Sequence, residues 1–115
     1  MATDTKYAAV VARHEATRTI GPATALSLLM TSTRTGALAV GRRHRLFWAA
    51  GPTSTSLVAF VALGNEDVDS GTISNVILLS ADAPTFEFVA AEGANYIAAH
   101  DDAGGSILYV TEVSK

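Results

Sequence analysis

The C-terminal part of the chain contains the pattern that decides the fold. It reads Thr85-Phe-Glu-Phe-Val-Ala90, then Asn95-Tyr-Ile-Ala-Ala99, then Ile107-Leu-Tyr-Val-Thr-Glu-Val113. Glycine-containing segments at 91–94 and 101–105 separate these three stretches. A two-residue period that is interrupted by such turns is typical of antiparallel strands. We therefore predict that the end of the chain forms a β-meander.

Four more strands are predicted upstream, namely Ala23–Thr33, Leu38–Ala50, Ser56–Leu63 and Ile73–Ser80. The third of them is apolar on both faces, as expected for a central buried strand. Glycine, proline and an acidic stretch at 64–71 punctuate the series. About seven short strands predict an all-β fold, either an antiparallel β-sandwich or a small barrel.

The domain organisation is simple. A chain of 115 residues is long enough for one domain with a single core. We predict one β domain over residues 23–115. Residues 1–22 fit either an N-terminal arm or a short helix, because Asp4 could cap a helix while the threonine-rich end of the segment suits extended chain.

Composition excludes several classes of protein. There is no cysteine, which removes disulfides, thiolate metal sites and thiol catalysis. No apolar run reaches the length of about 18 residues that a membrane span needs. The N-terminus lacks the pattern of a secretory signal, so we expect synthesis in the cytoplasm. Charged residues make up 17% of the chain against a usual share of about 25%, which suggests that a subunit contact covers part of the surface.

Charge is divided unevenly along the chain. Residues 1–45 hold seven basic and two acidic residues, a net charge of +5, whereas residues 46–115 hold one basic and nine acidic residues, a net charge of −8. The basic part could meet an acidic partner, the acidic part of a neighbouring copy, or nucleic acid. A pI near 5.4 argues against nucleic acid. Chance segregation on a solvated surface is the remaining interpretation.

No residue set predicts catalysis, a cofactor or a metal. His14, His44 and His100 lack the spacing of converging zinc ligands. The run Asp101-Asp-Ala-Gly-Gly105 lacks the alternating oxygen ligands of a calcium loop and fits a turn. No Gly-x-Ser-x-Gly motif supports a serine nucleophile. We expect that the protein is not an enzyme.

The best candidates for an interaction site are basic. Arg42, Arg43 and Arg45 fall within a predicted strand that continues into Trp48, and arginine and tryptophan are enriched at interface hot spots. Arg43 and Arg45 share one face of that strand with Phe47, whereas Arg42 shares the opposite face with Trp48. The alternative is a solvated strand end with both aromatic residues in the core. The complete predicted interface set is Arg13, Arg18, Arg34, Arg42, Arg43 and Arg45.

The order of these elements resembles a known group of proteins. A basic strand ends in Arg45-Leu-Phe-Trp-Ala-Ala-Gly51, a buried strand ends in Gly64, and an acidic loop follows. A Phe-Glu-Phe strand, Glu92-Gly-Ala-Asn-Tyr-Ile-Ala98 and Gly105-Ser-Ile-Leu-Tyr-Val-Thr-Glu-Val113 close the chain. Over residues 42–113 this pattern is similar to the small β-sandwich structural proteins of tailed bacteriophages.

That resemblance implies a virion protein without catalysis, most specifically a capsid decoration (cement) protein. It implies the major capsid protein and sister subunits as partners, with a homotrimer expected by analogy with local three-fold positions on capsids. It also implies a location in the virion after synthesis in the host cytoplasm. A tail or fibre module that binds a receptor or glycan is the alternative, and it predicts exposed aromatic residues in loops.

Overall fold

The computed structural model describes residues 23–71 and 76–113. The predicted arm or helix at 1–22, including Arg13 and Arg18, lies outside them. The described residues form eight strands: β1 Thr24–Ser27, β2 Thr33–Arg34, β3 Arg43–Ala49, β4 Val58–Gly64, β5 Ile77–Ser80, β6 Thr85–Val89, β7 Tyr96–Asp101 and β8 Ile107–Val113. They include no helix of the length and apolarity that a membrane span requires.

The strands form two four-stranded antiparallel sheets. The first sheet has the order β1-β8-β3-β6 and the second has the order β2-β7-β4-β5. The prediction of an all-β antiparallel sandwich is confirmed, with eight strands in place of about seven. The predicted central position of β4 is also confirmed, because it lies between β7 and β5.

The core lies between the two sheets and follows the two-residue period of the strands. Leu46 and Trp48 of β3 face Val61 of β4 and Ile97 of β7, and all four are at least 96% buried. The remaining buried members of this cluster are Leu28, Ala59, Leu79, Ala99, Leu108 and Val110. Both sheets contribute large side chains to this core, and the alanines Ala59 of β4 and Ala99 of β7 alternate with them on the second sheet.

The prediction of a C-terminal meander is wrong. β6 and β8 belong to the first sheet, whereas β7 between them belongs to the second. Of the strands described, only β4 and β5 pair with a neighbour in sequence. A glycine turn can either reverse a strand within one sheet or carry the chain across to the other, and the alternation of residues is the same in both cases.

The predicted strand Ala23–Thr33 is also wrong as one element. β1 pairs with β8 in the first sheet, and the chain then crosses to pair as β2 with β7 in the second sheet. Leu28 makes this crossing stable. Its side chain is 1% exposed, its N–H donates to Ser106 O at 2.8 Å, and its carbonyl accepts from Gly105 N at 3.1 Å.

Two further predicted strands begin later than expected. The predicted strand Leu38–Ala50 begins only at Arg43, because residues 35–42 cross from the second sheet to the first. Gly41 ends that crossing with a φ of 84° and donates its N–H to Ala90 O at 2.7 Å. The predicted strand Ile73–Ser80 begins at Ile77, and residues 72–75 lie outside the description.

One end of the sandwich, which we call the Asp101 end, is closed by a buried polar network. Asp101 is 1% exposed. Its carboxylate accepts hydrogen bonds from Gly104 N at 2.6 Å, from Ser106 N at 3.1 Å and from the Ser106 hydroxyl. The Ser106 oxygen in turn accepts from Trp48 Nε1 at 2.9 Å. The network ties the 101–106 turn to the core.

The neighbouring carboxylate, Asp102, fixes the start of β4 from the surface. It accepts from Leu57 N at 2.9 Å and from Val58 N at 3.2 Å. Partial desolvation raises the pKa of Asp102, but hydrogen bonds from Val58, Leu57, its own backbone N–H and the Ser56 hydroxyl outweigh that effect. The net result is a pKa below the ordinary value of 3.8. Two aspartates therefore stabilise the predicted turn at 101–105, Asp101 from the core and Asp102 from the surface.

The loop of residues 65–71, which we call the acidic loop, folds back onto the outer face of the second sheet. Val68 is 5% exposed and packs on Ala62 and Ala98, which point away from the main core. Gly64 permits this, since a Cβ there would lie 2.8 Å from Val68 Cβ. Glu66, Asp67 and Asp69 are exposed on that face.

Candidate interaction surface on the first sheet

Alternation along β3 places the predicted arginines on the outside. His44, Leu46 and Trp48 point into the sandwich, so Arg43 and Arg45 point away from it. Arg42 precedes β3 in the phase of its inward-pointing residues and pairs with Glu112, which is opposite His44 in the β3–β8 register, so it does not share the outer face of Arg43 and Arg45. We call Arg42, Arg43 and Arg45 together the basic surface. The prediction that β3 carries a basic exposed side is confirmed.

The strongest ion pair on this surface joins Arg45 to Glu87 of β6. Arg45 and Glu87 are directly opposite each other in the β3–β6 register. Arg45 Nη2 lies 2.8 Å and Arg45 Nε lies 2.9 Å from Glu87 Oε2. Both side chains are about two-thirds or more covered, at 32% and 26% exposure. Arg45 is thus committed to a contact inside the chain.

Arg42 and Arg43 are held far more loosely. Arg43 Nη1 lies 3.6 Å from Glu87 Oε1, and Arg42 Nε lies 3.8 Å from Glu112 Oε2. The side chain of Arg43 is 55% exposed and that of Arg42 is 64% exposed. Exposed pairs at such distances contribute little to stability, so these two guanidinium groups are available to a partner.

Arg34 is separated from the others. It lies on β2 at the edge of the second sheet, and its guanidinium donates to the backbone carbonyl of Glu66 in the acidic loop. The structure therefore brings together three of the four described arginines of the predicted interface. The fourth belongs to the opposite sheet.

Ion pairs inside the folded chain neutralise part of the charge difference between the two parts of the sequence, and the sequence alone did not predict these pairs. β3 comes from the basic half, and both its neighbours, β6 and β8, come from the acidic half. Glu87 and Glu112 are therefore partners of the basic surface, although they read as solvent-facing positions in the sequence. Only the strand register reveals this, because the residues that meet are 42 or more positions apart.

Apolar side chains adjoin the arginines on the same face. Phe47 is 43% exposed, and its ring centroid lies 6.4 Å from that of Tyr109 on β8. Val89 of β6, opposite Arg43, is 52% exposed. Trp48 is buried, so the two aromatic residues at this point are divided between surface and core. The face combines arginine with exposed apolar area, as interfaces commonly do.

The outer face of the second sheet contains a cleft of about 310 Å³ lined in part by Ser32, Asp69 and His100. The imidazole Nδ1 of His100 lies 2.7 Å from the Ser70 hydroxyl oxygen, which also bonds to Ser32 Oγ at 3.1 Å. The imidazole stacks on Phe60 with centroids 4.7 Å apart. Ser70 is 3% exposed, so its hydroxyl joins the acidic loop to β7 and is not presented to the cleft.

Metal ligands do not gather in the part of the chain that the structure describes. No three His, Asp or Glu side chains there are placed to share an ion. His44 is 3% exposed, stacks on Phe88 at 5.6 Å and has Nδ1 3.1 Å from the carbonyl oxygen of Arg42. The expectations of no metal and no catalysis stay predictions.

Comparison with known proteins adds a distant likeness. No protein-family model matches the chain, and no curated protein matches it. A solved chain from the Bacillus endospore appendages, described as a novel family of disulfide-linked pili, is similar over 85% of this chain and 91% of its own length. The identity is 12% and the TM-score is 0.42, so the likeness carries no argument about function.

Proposed function

We propose that this chain is a structural protein of a tailed-bacteriophage particle, and specifically a capsid decoration protein that binds the assembled head. In this role its partners are the major capsid protein and sister copies, for which we propose a trimer. The protein would be made in the host cytoplasm and reside in the virion. Assembly would not involve disulfide links, because the chain has no cysteine.

One observation carries this proposal: two loosely held arginines, Arg43 on the outer face of the first sheet and Arg42 just before β3, lie near exposed apolar residues of that face. Arg42 and Arg43 are mostly exposed. The nearby apolar residues Phe47 of β3 and Val89 of β6 are exposed as well. Such a face suits attachment to an acidic surface. A protein that binds only the assembled lattice stabilises that lattice by mass action, and clustered copies add avidity.

The test is co-sedimentation with heads of the phage that encodes the chain, after this protein has been stripped from them. We expect the wild-type protein to rebind and to be released as salt screens its charges. The triple variant Arg42→Glu, Arg43→Glu, Arg45→Glu should lose binding. Occupancy equal to that of the wild type would contradict the assignment of the basic surface.

A matched variant separates lost binding from lost folding. Arg45→Glu alone places two carboxylates opposite each other on β3 and β6, whereas Arg45→Glu combined with Glu87→Arg restores the ion pair with reversed polarity. The double variant should recover part of the stability that Arg45→Glu loses, although Arg43 no longer has Glu87 as its partner. If the double variant also rebinds heads, then a positive charge on this face is sufficient and the position of Arg45 itself is not required.

The tail or fibre alternative receives no support from the described residues. It predicts exposed aromatic side chains in loops, but every aromatic residue within 23–71 and 76–113 lies in a strand. Tyr7 lies outside that description. A glycan-binding screen of the purified protein remains the direct test of this alternative.

A further inference from the structure

The two outer faces of the sandwich differ in net charge: Arg43 and Arg45 outnumber Glu87 on the first sheet, whereas Glu66, Asp67 and Asp69 outnumber Arg34 on the second. The basic surface lies on the outer face and rim of the first sheet, and the acidic loop lies on the outer face of the second. The positions follow from alternation: Arg43 and Arg45 alternate with buried residues of β3, and Val68 anchors the loop on the outward-pointing Ala62 and Ala98. Front and back of one molecule are therefore complementary.

Glu66 and Asp67 are the acidic counterparts of Arg42 and Arg43. Both are exposed, and no ion pair joins either of them to another residue of the described ranges. Asn65 caps the loop by accepting Asp67 N at 2.9 Å, and Arg34 binds the carbonyl of Glu66. The loop backbone is thus fixed by its own contacts, and these two carboxylates remain directed to solvent.

Exposed apolar residues accompany the charges on both faces. Phe47 and Val89 lie on the first sheet, and Leu78 of β5, which is 57% exposed, lies beside Phe60 on the second. Each face therefore offers what the centre and rim of an interface need, an apolar area with charges of one sign nearby.

We propose that the basic surface of one copy binds the acidic loop of a second copy. This deepens the proposed function by naming the partner of the basic surface as a sister copy. The two patches lie on opposite faces, so the contact is heterologous, front to back. A contact between opposite faces leaves one free patch of each sign and stacks further copies in line, so it predicts an open filament and differs from the closed trimer proposed above.

The test is sedimentation velocity of the isolated protein. We expect oligomers in low salt that dissociate as the ionic strength rises to about 0.5 M, where the Debye length falls to a few ångströms. The variants Arg42→Glu/Arg43→Glu and Glu66→Arg/Asp67→Arg should each associate at least about tenfold more weakly, because like charges then meet. Unchanged association of either variant would overturn the proposal, as would a wild type that is monomeric in low salt at every soluble concentration.

The decisive experiment reverses the charges on both faces. An equimolar mixture of the two double variants should assemble, since every front-to-back contact then pairs opposite charges, and so should the quadruple variant. Failure of both to regain association would overturn the proposal even if the single-face variants behave as expected. Melting curves of each variant, which should show a folded protein at the temperature of the assay, separate lost association from unfolding.

Binding to heads distinguishes this inference from the proposed function. If the arginines meet a sister copy, Glu66→Arg/Asp67→Arg lowers head occupancy as Arg42→Glu/Arg43→Glu does. If occupancy falls only in the arginine variant, the capsid is their partner and the sister contact is refuted. Self-association that is rescued by charge reversal, in a protein that binds no head, refutes the proposed function and leaves the sister contact standing.

Discussion

The Asp101 end and the basic surface use charged side chains in opposite ways. At the Asp101 end, a buried carboxylate is surrounded by backbone and hydroxyl donors and connects through Ser106 to Trp48. On the basic surface, Arg42 and Arg43 remain mostly in water, with carboxylates at 3.6 Å or more. Buried charges with several hydrogen bonds are costly to disturb, whereas exposed pairs are not. Stability is therefore concentrated at the first region, and the second can serve a partner.

The substitution Asp101→Ala should have the largest effect, and it tests whether the Asp101 end stabilises the fold. The substitution leaves the Gly104 and Ser106 donors without their acceptor in a buried site, so we expect a loss on the order of 3 kcal/mol or more in the free energy of unfolding. Urea denaturation followed by the fluorescence of Trp48, the single tryptophan, measures it. Asp82→Ala in the exposed 81–83 turn is the control and should change stability by less than about 0.5 kcal/mol. Equal denaturation midpoints for the two variants would show that the network is not a stabilising element.

A second prediction concerns pH and Asp102. Its pKa is lower in the folded chain than the ordinary value of 3.8, so its contribution is fully present above that value and is lost as the pH falls from 3.8 through the folded pKa. Asp102→Asn cannot titrate at this position. The difference in unfolding free energy between wild type and variant should be constant between about pH 6 and pH 8 and should shrink in acid. A difference that stays constant down to the acid transition would show that the carboxylate is not held by Leu57 and Val58.

The smallest expected effect belongs to the basic surface. A double-mutant cycle of Arg45→Gln and Glu87→Gln should give a coupling of about 0.5–1 kcal/mol that weakens with salt. The parallel cycle of Arg43→Gln with Glu87→Gln should give less, because that contact is longer and more exposed. If Arg43 coupled as strongly as Arg45, it would be a structural residue and a poor candidate for a partner's carboxylate.

Alternation in the sequence predicted individual strands well and their connections badly. β8 and the inward phase of Leu46 and Trp48 follow directly from periodicity. The crossings at Leu28, at Gly41 and between β6 and β7 do not, because a turn that stays in one sheet and a turn that changes sheets need the same residue types. Strand order is decided by which faces pack in three dimensions, and a single chain without its register does not show that.

The candidate site divides in the same way. The exposure of Arg43 and Arg45 could be predicted from their phase on β3. Their partner Glu87 could not, because it is brought opposite by long-range pairing. Asp101 and Asp102 are adjacent and alike in sequence, yet one is buried and the other caps a strand from the surface. Their different roles depend on which face of β7 packs against the core.

The position of β8 has a consequence for biosynthesis. It lies between β1 and β3 in the first sheet. These two strands are translated early, and their pairing with β8, the last strand, can form only at the end of synthesis. Until then β1 has no partner strand in the first sheet and β3 can pair only with β6. Pairings that span most of a chain form slowly. The first sheet therefore cannot be completed until β8 has been translated.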